Sequence, residues 1–79
     1  MYYVYIIKSD IRKYIYVGLT NNVERRVVEH QTGKEVTTRA YRPFSLIHVE
    51  KFSTRIEARK KEKYFKSGFG KEYIKDVLL

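Results

Sequence analysis

The chain reads as an α+β fold: a three-stranded antiparallel sheet flanked by helices, in the order β-β-α-β-α-α. Three observations predict it. Three short segments are rich in β-branched and aromatic residues, two Asn/Thr-x-x-Glu patterns each open a helical run, and no repeat or linker interrupts the 79 residues. A chain of that length makes one domain, residues 1–79.

Residues 2–8 are β-branched or aromatic almost throughout, which predicts a strand with both faces at least partly covered. Ser9-Asp10 supplies turn chemistry. Tyr14 to Val17 forms a second strand closed by Gly18, and the gap of about four or five residues makes the two a hairpin. Asn21 is placed to cap a helix, with Glu24 three residues on; Val23, Val27 and Val28 then recur at helical spacing until Gly33 stops the run. That helix is expected at about 22–32. Residues 34–43 are polar and basic, end at the one proline, Pro43, and read as a loop. Phe44 to Phe52 alternates around Leu46, His48 and Val49 as a third strand. Thr54 and Glu57 open a helix of about 55–67, broken by Gly68 and Gly70. Lys71 to Leu79 makes a short last helix that packs Ile74, Val77 and Leu78.

Composition narrows the partners. With 17 Lys and Arg against 9 Asp and Glu, the formal net charge is +8, which attracts polyanions and releases their counterions. Nucleic acid is the first choice of partner. An anionic membrane surface comes second, but no helix pairs a broad apolar face with a basic one. The blander alternative is a basic surface kept for solubility. The absence of cysteine excludes a disulfide and a thiolate zinc site, and His30 and His48 are too few for a structural zinc site between them. No segment approaches the ~18 apolar residues of a membrane span. The N-terminal MYYVYIIKSD reads as a strand and not as a signal peptide, so a cytoplasmic protein is expected.

Some residues invite a sharper reading. Alternation puts Tyr3, Tyr5 and Ile7 on one face of the first strand and groups Tyr14, Tyr16 and Gly18 on the second. Arg26 and His30, four apart, stack on one face of the first helix. On the later helix Ala58, Glu62 and Phe65 share a side, with Arg59, Lys60, Lys63 and Lys66 spread over the other. Glu62 is then either a rim glutamate bonded to a neighbouring lysine or a carboxylate that needs a cation.

Taken in order, these residues resemble a known pattern. Tyr3-Val4-Tyr5 followed by Tyr16-Val17-Gly18 resembles the paired motif of the GIY-YIG endonuclease superfamily in its small, stand-alone bacterial form. Tyr3 stands where the name-giving glycine would be. The run from Gly18 through Arg26 to His30 resembles the family's glycine-arginine-histidine segment, and Glu57 to Lys66 its glutamate helix, with Glu62 at the ligand position. The resemblance covers nearly the whole chain. Two features common in the family are absent: no asparagine follows Asn22, and residues 31–44 hold no histidine.

The resemblance implies a hydrolase: a Mg²⁺-dependent endonuclease (or one using another divalent cation) that cuts DNA in repair or recombination, with Tyr5, Tyr16, Arg26, His30 and Glu62 as its site. Glu62 would hold the metal and Arg26 the scissile phosphate. Tyr5 would take the water's proton or orient the water. Tyr16 would bond a phosphate oxygen or the water, and His30 would relay the proton or anchor Arg26. Arg25, Lys34, Arg39 and Arg42 flank these positions and could track a DNA backbone, branched or single-stranded forms included. The alternative on the same fold is a catalytically weak or inactive nucleic-acid-binding module. Oligomeric state is not readable from the residues.

Overall fold

The computed structural model describes residues 1–79. Its strands are β1 (Tyr2–Ser9), β2 (Ile15–Thr20) and β3 (Phe44–Phe52); its helices are α1 (Val23–Gln31), α2 (Arg55–Lys66) and α3 (Gly68–Tyr73). A 3-10 turn at Arg39–Tyr41 interrupts the loop before β3, and a π-helical turn, Ile74–Leu78, continues α3. The sheet is antiparallel with order β2-β1-β3, so the first strand is the central one. This is the α+β architecture expected from the sequence. No helix is long and apolar enough to cross a membrane.

The central position of β1 explains its composition. Val4, Tyr5, Ile6 and Ile7 are all fully buried, because both faces of the sheet are covered. On one face Val4, Ile6 and Val17 pack against Ala58 and Phe65 of α2 and against Ile74. On the other, Tyr5, Ile7 and Phe44 pack with Tyr14, Tyr16 and Tyr41 and with Val23 and Val27 of α1. The i, i+4, i+7 spacing of Ala58, Glu62 and Phe65 thus sets the buried side of α2, as period-two alternation divides β1.

Local signals hold most element ends, with small shifts. Asn22, one residue after the expected Asn21, caps α1: its side chain accepts from the Arg25 N–H at 3.0 Å. Thr20 fixes that choice, since its hydroxyl accepts the Asn22 N–H at 3.0 Å. Thr54 caps α2: its hydroxyl accepts from the Glu57 N–H at 3.2 Å and donates to the Glu57 carboxylate at 3.0 Å. Gly33 ends α1 at φ +81°, a conformation open to glycine. Gln31 ties α1 to β3 by pairing its amide with the Phe44 backbone, donating to the carbonyl at 2.8 Å and accepting from the N–H at 2.7 Å.

Other expectations shift more. The last helix begins at Gly68 and not at Lys71, because the Ser67 hydroxyl caps it from the Gly70 N–H. Ile74 is buried there but Val77 is exposed. Val28 points outward from α1. In β3 the register slips between its pairings with Ile6 and Ile7: His48 faces Ile6 and Leu46 faces Ile7, which leaves Ile47 as the extra residue of a bulge. The bulge breaks the simple alternation, so Leu46 and Val49 are exposed while Ile47 packs against the α2 face.

Candidate functional site

Period-two alternation turns Tyr5 of β1 and Tyr16 of β2 toward α1, and the helical i, i+4 spacing turns Arg26 and His30 of α1 back toward them. Tyr5 pairs in register with Gly18, and its ring lies over that glycine so closely that an added methyl would overlap it. Gly18 is therefore the residue that lets a tyrosine lie flat on the strand. The Tyr5 phenol and His30 Nε2 are 2.8 Å apart, and the Tyr16 ring sits 4.8 Å, centroid to centroid, from the imidazole.

His30 is held at both nitrogens. Its Nδ1 lies 2.7 Å from the Thr38 hydroxyl, which in turn donates to the Glu35 carbonyl. With its proton directed there, Thr38 accepts from Nδ1–H, and Nε2 accepts the Tyr5 proton. Tyr5 O–H, His30, Thr38 and Glu35 form a one-way chain in which every buried donor has an acceptor. No buried side-chain polar atom in the protein lacks a partner.

Electrostatics follow this burial. Tyr5 and His30 are completely enclosed. Loss of solvent pushes the Tyr5 phenol up to about 12, against the opposing pull of Arg26. The same loss of solvent, reinforced by the Arg26 charge, lowers His30 below its ordinary value of 6.5. Burial works against the Arg26 charge as well, but its bonds to Glu29, the neighbouring Tyr5 phenol and Glu35 outweigh that and raise its pKa. Arg26 is caged: Nη1 meets Glu29 at 2.6 Å and Nη2 meets Glu35 at 3.3 Å. Its guanidinium fork is thus already occupied by two carboxylates.

Glu62 stands apart from these four. It lies between Ala58 and Phe65 on the side of α2 that packs on the opposite face of the sheet. Its carboxylate accepts from Lys66 at 3.1 Å and faces Arg59 at 3.7 Å, both on its own helix. The rim-glutamate reading of the sequence describes it. A divalent cation prefers several oxygen ligands, and no three His, Cys, Asp or Glu side chains in the protein converge to hold one. The residues at Glu62 do not fit a Mg²⁺ site.

The flanking cations are exposed. Arg25 and Lys34 line one surface depression beside α1. Arg39 bonds the Gly33 carbonyl at 2.8 Å, and the Arg42 guanidinium lies over the same glycine. Sequence reasoning missed Thr38 and Glu35. The i, i+3 spacing of Arg26 and Glu29 was a signal for half of the arginine cage; nothing local marks the loop residues that complete it.

Comparison with known proteins places this geometry. The family described as the GIY-YIG catalytic domain matches residues 1–75. A UPF0213 protein of Natronomonas pharaonis is 40% identical over 67 residues, spanning 84% of this chain and 78% of that protein. One from Staphylococcus haemolyticus is 36% identical over 77 residues, 96% of this chain and 93% of its own. The solution NMR structure of the UPF0213 protein from Bacillus halodurans superposes with a TM-score of 0.57 at 33% identity, covering 96% of this chain and 83% of that one. These relatives are described as UPF0213 proteins, a description that carries no nuclease activity. Together with the missing ligand cluster, this corrects the expectation of a Mg²⁺-dependent DNA endonuclease, and with it the hydrolase and repair roles. Four of the five residues meet, but Arg26 is already paired with Glu29 and Glu35, and His30 is bonded on both sides by Tyr5 and Thr38.

Proposed function

Since the chain belongs to the GIY-YIG domain family, we propose that it works as a nucleic-acid-binding module on that fold, cytoplasmic and without metal-dependent cleavage. The observation that carries this reading is the strip of exposed cations along α1 and the loop after it, on a protein of net charge +8. Arg25 and Lys34 share a depression, and Arg39 and Arg42 meet at Gly33, next in the chain to Lys34. Such a strip suits a phosphate backbone, because each neutralised phosphate releases bound counterions.

The enclosed Tyr5–His30–Thr38 chain serves the strip by structure. It pins the start of the loop to α1 and β1, and so holds Arg39 and Arg42 near the helix end. DNA is the partner of this reading, bound through its backbone and without sequence preference.

Fluorescence anisotropy of a labelled DNA duplex at increasing salt tests it. The affinity should fall steeply, with a log–log slope reduced by about 0.9 for each phosphate contact removed. Arg25→Gln with Arg42→Gln should lower that slope by about two such steps and leave the melting temperature nearly unchanged. Affinity that does not respond to salt would overturn the proposal.

A further inference from the structure

A second cationic surface lies elsewhere on the protein. Between the β1–β2 hairpin and the C-terminal helices runs an open groove of about 1000 Å³. Five lysines line it: Lys8 and Lys13 from the hairpin, and Lys66, Lys71 and Lys75 from the helices. No aspartate or glutamate is among its lining residues. This contrasts with the depression beside α1, where Glu24 and Glu29 sit with the cations.

The floor of the groove is not polar. Seven of its 12 lining residues are hydrophobic. The rings of Tyr14 and Tyr16 are partly exposed to it, while Phe65, Val17 and Ile74 lie buried beneath. Tyr14 is stacked on Tyr41 at 3.9 Å, nearly parallel at 7°, so its ring is held in a fixed plane. Tyr16 is held by contact with Tyr5 and His30. Rings fixed in this way can receive a flat partner with little loss of side-chain freedom.

We infer that this groove binds a single-stranded segment of nucleic acid, its phosphates on the lysine rim and its unpaired bases on the aromatic floor. The inference rests on the nucleic-acid-binding reading above and adds the form of the ligand and its location. Charge complementarity selects a polyanion. The apolar floor then selects among polyanions: a duplex keeps its bases stacked inside and offers a lysine rim only phosphates, whereas an unpaired strand offers π-faces as well. A volume at the upper end of small-molecule sites leaves room for more than a free nucleotide.

The test compares a labelled oligothymidylate of roughly ten nucleotides, within the site sizes such grooves use, with a duplex of equal length. The groove variant Lys71→Gln/Lys75→Gln is set against the control Lys51→Gln/Lys60→Gln, which removes the same charge at exposed positions outside the groove. The groove variant should bind the single strand about tenfold more weakly, with its salt slope lower by about 1.4, or 0.7 per lost contact. It should bind the duplex nearly as the control does. An oligoribonucleotide arm tells RNA from DNA, and either result supports the groove. Equal losses in both variants, equal losses on strand and duplex, or equally good displacement of the strand by polyglutamate would overturn it. Wild-type protein that binds duplex but no single strand defeats this inference alone. Protein that binds neither defeats the module reading from which it starts.

Discussion

The two faces of the central sheet are covered by different means. Toward α2 and α3 the sheet presents Val4, Ile6 and Val17 to Ala58, Phe65 and Ile74, a contact of hydrocarbon and ring with the Glu62 carboxylate at its rim. Toward α1 it presents Tyr5, whose phenol leads through His30 to Thr38. The first face is stabilised by removing apolar surface from water and tolerates rearrangement. The second holds polar groups that are favourable only while every partner is in place. The difference teaches that tyrosine and histidine burial, which at first suggests chemistry, can be a way of fixing a loop.

Substitutions sharpen this contrast. Phe65→Ala should have the largest effect, about 3–5 kcal/mol in urea unfolding, because a fully buried ring leaves a cavity. Tyr5→Phe keeps the ring but leaves His30 Nε2 without its donor, at a cost of about 1–3 kcal/mol. If Tyr5→Phe costs nothing measurable, the chain is not what holds that face. Gly18→Ala should cost a similar ~1–3 kcal/mol by forcing the Tyr5 ring off the strand.

The next contrast is in pH. His30 has a folded pKa below 6.5, so the unfolded chain takes up protons more readily as pH falls through that value. The stability it contributes is complete above about 6.5 and is lost as pH falls below it toward the folded value. A charged imidazole there would face Arg26 and would lose Nε2 as an acceptor for Tyr5. At the alkaline end the sign reverses: Tyr5, raised from 10 to about 12, disfavours the fold as pH rises between those values. Melting curves across this range should show both flanks, and His30→Gln should flatten the acid one. A wild-type melting temperature constant from neutral pH to pH 5 would contradict the buried, neutral imidazole.

The smallest effect belongs to Glu62. Its partners Lys66 and Arg59 are half exposed, so Glu62→Gln should change stability by at most about 1 kcal/mol. Millimolar Mg²⁺ should leave the melting temperature of the wild type and of the variant unchanged, because a bound ion would raise it by mass action. A Mg²⁺-dependent rise in the wild type that Glu62→Gln removes would restore the metal site.

Much of the fold was legible because its determinants are local. The Thr54–Glu57 cap, the glycine at φ +81° and the aromatic segments each act within a few residues, and the resulting α+β architecture stands. Periodicity places Tyr5 and Tyr16 on strand faces and Arg26 with His30 on one helix face, but only the resemblance to the GIY-YIG pattern implies that the four meet. What escaped depends on distant residues. The bulge at Ile47 follows from pairing with β1 some forty residues away, and it decided which of Leu46, Ile47 and Val49 faces inward. Thr38 and Glu35 lie in a polar loop where no pattern distinguishes a buried hydroxyl from a solvated one. The five groove lysines come from a hairpin and two helices, and only the packed fold sets them side by side.

The strand order has a consequence for how the chain reaches this state. β1 is the first strand in sequence and the middle one in space, and its second partner is not complete until Phe52. During synthesis the β1–β2 hairpin can close at once, while the other side of β1 keeps a row of unpaired amides next to Tyr-Tyr-Val-Tyr-Ile-Ile. Until β3 arrives, the most apolar segment of the protein is an open sheet edge. Closing it requires a long loop to be ordered first, so pairing of β3 with β1 should limit the folding rate. In this interval the nascent chain is most exposed to self-association, and the charge of +8 that favours nucleic acid in the folded protein would also keep unfinished copies apart.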